Sequence, residues 1–172
     1  MLGPLPINVQ SQPEELNVEE TGSTYLENAL LKAKAASQLT NTWTIADDSG
    51  FEVDALNNSP GIYSARFAKT NQEKINKILK ELGDNPYRSA RFCSVMVLCD
   101  SKGNLISNSE GICWGEVLHQ PAYPGGEFES ILWLRETKCS YGELNQEQLI
   151  KLGSRGKAAR SLAPSLLREL NL

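Results

Sequence analysis

Two adjacent carboxylates follow a short apolar run near the start of the chain's second quarter. Asp47 and Asp48 come directly after the β-prone segment 43–46. A buried carboxylate is costly without a partner, and neighbouring side chains on an extended backbone point to opposite sides. One carboxylate can therefore bind a hard cation such as Mg²⁺ or Mn²⁺ while the other faces a different ligand or solvent. The alternative is that 47–50 forms an ordinary turn, since Asp, Ser and Gly are common turn residues.

A second acidic pair and a lysine lie close together earlier in the sequence. Glu19 and Glu20 precede the first clear helix, and Lys32 lies off the apolar stripe of that helix. A lysine placed in this way can reach a phosphate. The alternatives are structural: acidic residues favour a helix N-terminus, and a helix lysine is commonly solvated.

Composition excludes several other kinds of chemistry. The 172 residues carry a net charge of −4, one histidine (His119) and four cysteines with no CxxC pair, so no His/Cys cluster for zinc is expected. The acidic balance argues against a nucleic-acid partner. No apolar run reaches the length of a membrane span, and 1–8 lacks the features of a signal peptide. We therefore expect reduced cysteines and a cytoplasmic protein without a membrane partner.

The elements that must position these residues mix helices and strands. Thr24 and Glu27 predict a capping box for a first helix, and Thr70 and Glu73 predict one for a second helix that ends at Gly83. The remaining elements are strands at 43–46 (ending at Asp47), 51–55 and 131–134, a β-hairpin of 91–99 with 105–118, and helices at 146–152 and 157–170. This pattern predicts one domain over 1–172, of α/β or α+β class with a mixed sheet.

Three motifs in order resemble a known family. They are Glu-Glu-Thr-Gly-x-Thr-Tyr-x-Glu-Asn-Ala-x-x-Lys-Ala at 19–33, Ala-Asp-Asp-Ser-Gly at 46–50 and Pro-Gly-Ile-Tyr-Ser-Ala-Arg-Phe at 60–67. Together they resemble the inosine/xanthosine triphosphate pyrophosphatase (Ham1-like) family, over nearly the whole chain. The resemblance implies an elongated mixed-sheet α/β fold, a homodimer, and Mg²⁺-dependent hydrolysis of ITP, dITP and XTP to monophosphate and pyrophosphate, which sanitises the nucleotide pool.

The resemblance also implies roles for individual residues. Glu20, Asp47 and Asp48 would hold the cation and the attacking water, with Asp48 as the general base, and Lys32 would contact phosphate. Residues implied in binding the nucleoside triphosphate are Ser49, Phe128, Glu129, Ser154 and Arg155.

Three departures from the family pattern qualify these roles. The family's first strand and its Thr/Ser-x-Asn-x-x-Lys phosphate loop have no match here, so we expect the fold to lack that strand. The base motif Gly-Phe-Gly-Tyr-Asp-Pro is Gly-Gly-Glu-Phe-Glu-Ser at 125–130, and Ser-His-Arg is Gly-Ser-Arg at 153–155. We expect weakened substrate affinity or purine selectivity with the metal and water apparatus retained. The alternatives are a catalytically impaired relative that binds nucleotides or dimerises, and an unrelated metal-dependent phosphohydrolase.

Overall fold

A computed structural model describes residues 7–171 of the chain as four helices and a six-stranded sheet. The helices are α1 (Tyr25–Thr40), α2 (Asn71–Leu82), α3 (Gln146–Leu152) and α4 (Ser154–Glu169). The strands are β1 (Thr44–Val53), β2 (Ser59–Gly61), β3 (Ser89–Cys99), β4 (Leu105–Val117), β5 (Leu132–Leu134) and β6 (Cys139–Ser140). The sheet order is β2-β1-β3-β4-β5-β6. The α/β class is confirmed, and the registered pairs β1·β2, β4·β5 and β5·β6 are antiparallel.

The chain divides into two compact units. The first holds the chain up to Asp48, Ser94–Gly111 and the residues from Arg155 onward; the second holds Ser49–Cys93 and Ile112–Ser154. The boundaries fall within strands β1, β3 and β4 and after the first residue of helix α4. The single domain over 1–172 stays a prediction.

Strand β1 differs from the prediction for the segment that contains Asp47 and Asp48. It runs unbroken from Thr44 to Val53, so the predictions that a strand ends at Asp47 and that a second one begins at Phe51 are wrong. The sequence favours a break because two carboxylates in mid-strand are costly without partners. In the first unit both carboxylates have cationic partners, Arg155 for Asp47 and Lys32 for Asp48, and the strand continues through them.

In the first unit, alternate residues of the strands pack against different helices. One cluster joins α4 to one face of the strands, and its buried members are Met96, Leu98, Ala158, Ala159, Leu162 and Leu166. The other joins α1 to strand residues, and its buried members are Ala29, Ala33, Val97 and Cys99. Ile45 packs on the α4 cluster and Ala46 on the α1 cluster. Because side chains alternate along a strand, Asp47 continues the α4 side and Asp48 the α1 side.

The second unit has its own aromatic and aliphatic core. Phe51 and Phe128 stack with ring centres 4.9 Å apart. Helix α2 buries Ile75, Ile78 and Leu82 against them.

The caps of the first two helices differ. In α2 both halves of the predicted capping box with Thr70 and Glu73 are present. In α1 the Thr24 hydroxyl accepts the N–H of Glu27, but the Glu27 carboxylate accepts the N–H of Ser23, so the prediction of a reciprocal box at Thr24 is wrong. The carboxylate instead holds the backbone N–H of the residue before the N-cap.

Replacing Thr70 by alanine is expected to lower the free energy of unfolding by about 1 kcal/mol. The Thr70 hydroxyl accepts the N–H of Glu73 at 3.2 Å, and alanine leaves that donor without its partner. Urea unfolding of the variant measures the loss. Thr70→Ser keeps the hydroxyl and serves as the control, so equal destabilisation by both substitutions would contradict the capping interpretation.

Candidate functional site

One lysine of the first unit lies between two of the predicted carboxylates. The Lys32 ammonium donates to Glu20 Oε1 at 2.9 Å and to Asp48 Oδ1 at 3.1 Å. The side chains of Lys32 and Glu20 are about a quarter exposed, and that of Asp48 is 9% exposed. Helix α1 supplies the lysine, strand β1 supplies Asp48, and Glu20 lies in the irregular segment before α1. Residues distant in sequence therefore converge on one ammonium.

Asn28 completes this cluster and is not among the residues predicted for the site. It is fully buried, its Nδ2 donates to Asp48 Oδ2 at 3.2 Å, and its Oδ1 accepts the N–H of Gly22 at 2.8 Å. A Cβ at Gly22 would lie 2.7 Å from Asn28 Oδ1, so glycine is required for this approach. The available signal was its spacing, because Asn28 lies one helical turn before Lys32 and faces the same side.

Asp47 has a different partner, as its opposite orientation on β1 requires. The Arg155 guanidinium donates from Nε to Asp47 Oδ2 at 2.8 Å. Arg155 belongs to α4, so the strand carries Asp48 toward α1 and Asp47 toward α4. The prediction that the two carboxylates face different partners is confirmed.

The environment keeps Lys32 charged. Burial alone would lower the pKa of Lys32, but its hydrogen bonds to Glu20 and Asp48 and the negative charges of both outweigh burial, and its pKa is raised above the ordinary value. At neutral pH the cluster therefore holds a permanent ammonium beside its carboxylates.

Replacing Lys32 by methionine is expected to lower the free energy of unfolding by about 1–3 kcal/mol at pH 8. Two carboxylates then lose their shared cation, although solvent screening keeps the cost below that of a fully buried pair. The folded-state pKa of Lys32 is raised above its ordinary value of about 10.4. The contribution of its charge to the free energy of unfolding is therefore fully present below about pH 10.4. It is lost as the pH rises through the raised folded-state pKa.

Urea unfolding of wild type and variant between pH 8 and 11.5, without divalent cations, measures this difference. Lys34→Met, at an exposed position of the same helix, is the matched control. A wild-type-to-variant difference that does not shrink with rising pH would refute the role given to the Lys32 charge.

Four further predicted residues lie in the second unit. Phe128 is 2% exposed and belongs to the aromatic core. Glu129 Oε1 accepts the backbone N–H of Glu127 at 2.9 Å. Ser154 is buried at the start of α4, and Ser49 is partly buried in β1. Their roles toward a substrate stay predictions.

The first-unit cluster suits a hard cation in its chemistry. Within the described residues 7–171, no group of three or more His, Cys, Asp or Glu side chains is arranged to hold a metal ion. Glu20 and Asp48 nevertheless converge on one positive charge. Mg²⁺ in phosphate-processing sites is held by one or two carboxylates together with substrate phosphates and waters. The two carboxylates fit that requirement.

An α/β sheet carrying clustered carboxylates, a fixed lysine and an arginine defines a protein suited to cation-assisted phosphate chemistry. The sequence profile of the Ham1 family matches residues 1–165. The chain belongs to the Ham1 family.

Individual relatives agree with this assignment. A dITP/XTP pyrophosphatase from Nostoc sp. is 43% identical over 161 residues, which are 93% of this chain and 82% of that protein. Another dITP/XTP pyrophosphatase, from Synechocystis sp., is 41% identical over 94% of this chain and 84% of its own length. The structure of the Staphylococcus aureus Ham1 protein superposes with a TM-score of 0.81 at 36% identity, over 90% of this chain and 82% of that one.

The length and hydropathy of the helices bear on whether one of them could span a membrane. Among those in the described part of the chain, residues 7–171, none is long and apolar enough to cross a membrane.

Proposed function

We propose that this protein hydrolyses non-standard purine nucleoside triphosphates (ITP, dITP and XTP) to the monophosphate and pyrophosphate, in an Mg²⁺-dependent reaction that sanitises the nucleotide pool. The observation that carries the proposal is the Lys32 ammonium held between Glu20 and Asp48 in a chain of the Ham1 family. Relatives that share about two fifths of its residues bear the name dITP/XTP pyrophosphatase.

Residues of the first unit are assigned to cation binding and to general-base catalysis. Glu20 and Asp48 are the acidic groups proposed to hold the cation, and Asp47, on the opposite side of β1, is proposed to act through its ion pair with Arg155. When bound, Mg²⁺ neutralises phosphate charge and lowers the pKa of a bound water. Asp48 takes a proton from the attacking water, which is general-base catalysis. One water is consumed, the α–β phosphoanhydride bond breaks, and pyrophosphate leaves.

Neighbouring groups support this work. Asn28 fixes Asp48 by donating to its second carboxylate oxygen, so the base has one orientation. Lys32 carries a positive charge at neutral pH and stabilises the charge that develops on the phosphates. Arg155, which pairs with Asp47 at 2.8 Å, is proposed as a second cation for the phosphates, because a guanidinium binds phosphate oxygens well.

The remaining predicted residues are assigned to binding. Ser49 and Ser154 supply hydroxyl groups that can donate to the substrate. The loop that carries Phe128 and Glu129 contacts the purine base. The matching motif at 46–50 supports the role of Ser49, and the roles at 125–130 and 153–155 rest on the position of these segments, where only part of the family motif is kept.

The experiment that tests the function follows pyrophosphate release from ITP, dITP, XTP and ATP with and without Mg²⁺. We expect release from the first three that requires the cation and exceeds release from ATP. Orthophosphate as the primary product would contradict the assignment. Saturable nucleotide binding without any turnover would support an impaired, nucleotide-binding relative instead.

The proposal includes a homodimer in the cytoplasm. The Trp114 side chain is 52% exposed, and the Arg91 guanidinium lies 4.5 Å from its ring centre. An exposed tryptophan is typical of surfaces that a partner covers. The four cysteines, all in the described part of the chain, are not joined by disulfides, as a reducing compartment favours. Sedimentation analysis of the 18.9 kDa chain tests the dimer.

A further inference from the structure

Helix α2 carries a buried lysine that pairs with a loop far away in sequence. The Lys74 side chain is 8% exposed, and its ammonium contacts the Glu127 carboxylate. The same ammonium lies 5.9 Å from the ring centre of Phe128. Lysine is almost never this buried unless it is paired. Removing one member of such a pair leaves an uncompensated buried charge, so the position of Glu127 is tied to that of the helix.

Glu127 also organises the loop that contains it. Its N–H donates to Glu129 Oε1 at 2.9 Å. Its carbonyl oxygen accepts from the N–H of Ser130 at 2.9 Å and from the Ser130 hydroxyl at 2.7 Å. The backbone of Glu127 therefore fixes the Glu129 carboxylate and Ser130, while its side chain fixes the loop to α2.

The two glycines before Glu127 have no side chains with which the loop could contact a base. A Cβ at Gly126 would lie 2.6 Å from Ser130 Cβ and 2.7 Å from the Tyr123 ring, so no larger side chain fits there. Gly125 faces open space and has a φ of +79°, which disfavours other residues. Phe128 is held in the core. This loop can therefore discriminate between bases through the placement of its backbone and of Glu129, and that placement depends on its anchor.

We propose that Lys74 and Glu127 form a positioning pair that sets the purine selectivity of the enzyme. The inference rests on the proposed function, because it assigns the 125–130 loop to the base. The pair holds the loop at one distance and orientation, and so controls substrate affinity and the preference for 6-oxopurines over 6-aminopurines. It carries none of the groups proposed for proton transfer, so it acts on KM more than on kcat.

The test compares Glu127→Gln with wild type, using dITP, XTP and dATP as substrates. Glutamine keeps the size of the side chain and removes its charge. We expect the KM for dITP and XTP to rise at least about tenfold, with kcat within about threefold. The ratio of kcat/KM for dITP to that for dATP is expected to fall at least fivefold. Lys80→Met and Glu81→Gln, at exposed positions of α2, are the matched controls and should leave all values unchanged.

A double-variant cycle separates the pair from general loosening of the fold. Lys74→Met is expected to raise KM as Glu127→Gln does, and the double variant is expected to raise it no further, because both substitutions break one contact. The double variant buries no unpaired charge, so it folds even where a single variant does not. Thermal melting and near-ultraviolet circular dichroism check folding.

Three results would overturn the inference. Unchanged KM and selectivity in Glu127→Gln would overturn it while leaving the proposed function intact. If the KM of the double variant rises by the product of the two single-variant increases, the residues act separately and not as a pair. A wild-type protein that releases no pyrophosphate from any purine nucleoside triphosphate would overturn the proposed function, and this inference with it.

Discussion

Asp48→Asn is expected to abolish pyrophosphate release from dITP and XTP, lowering kcat by at least about a hundredfold. General-base catalysis contributes about 10²- to 10⁴-fold, and an amide cannot take the proton from water. The substitution is nearly isosteric, and the amide oxygen can still accept from Asn28, which donates to Asp48 Oδ2 in the wild type. The amide nitrogen cannot accept from Lys32 as Asp48 Oδ1 does. Steady-state kinetics with a coupled pyrophosphate assay measures the loss.

Nucleotide binding by the same variant separates chemistry from affinity. Titration with dITP is expected to show saturable binding, because Lys32 and Arg155 remain as cations. Asp84→Asn changes an exposed carboxylate in the same way and is the control for the substitution itself. An Asp48→Asn variant whose kcat stays within about threefold of wild type would remove Asp48 from the role of base.

Local signals in the sequence predict the helices well. The α2 helix begins with the Thr70–Glu73 box and ends at Gly83, whose N–H donates to the carbonyl of Leu79. Both ends depend on residues only a few positions apart, so their physics is contained in a short stretch of sequence. The apolar spacing within the same stretch also identifies the buried face.

The acidic strand could not be predicted in the same way. Asp48 is stabilised by Lys32, sixteen residues away, and Asp47 by Arg155, which is 108 residues away. The neighbouring residues alone show two carboxylates without cationic partners, and this pattern predicts the end of a strand. The alternation of side chains along a strand was predictable, and it correctly predicts that the two carboxylates have different partners.

Buried polar residues were the main omission at the site. Asn28 reads as part of a solvated helix face, because asparagine is mostly exposed in proteins. Its burial depends on Gly22, which permits close approach, and on the carboxylate of Asp48. The family motif predicted Phe128 as a substrate contact. Its packing on Phe51 depends on a residue 77 positions earlier, which no local pattern reveals.

Phe128→Ala is expected to lower the free energy of unfolding by about 3–5 kcal/mol, the usual cost of removing a buried phenylalanine side chain. The ring is 2% exposed, stacks on Phe51 at 4.9 Å and lies 6.3 Å from the Phe67 ring. Its removal leaves a cavity lined by aromatic groups that cannot close without moving the loop. Urea unfolding at 25 °C measures the change.

Phe128→Leu then distinguishes packing from direct contact with a base. Leucine refills most of the cavity, so the stability loss should shrink to about 1–2 kcal/mol. If Phe128 acts by anchoring the loop, Phe128→Ala raises the KM for dITP and Phe128→Leu brings it back toward the wild-type value. Tyr87→Ala, at a position 79% exposed, is the control and should change stability by less than about 0.5 kcal/mol. A leucine variant of near wild-type stability with a KM raised as far as in Phe128→Ala would mean that the aromatic ring itself contacts the purine.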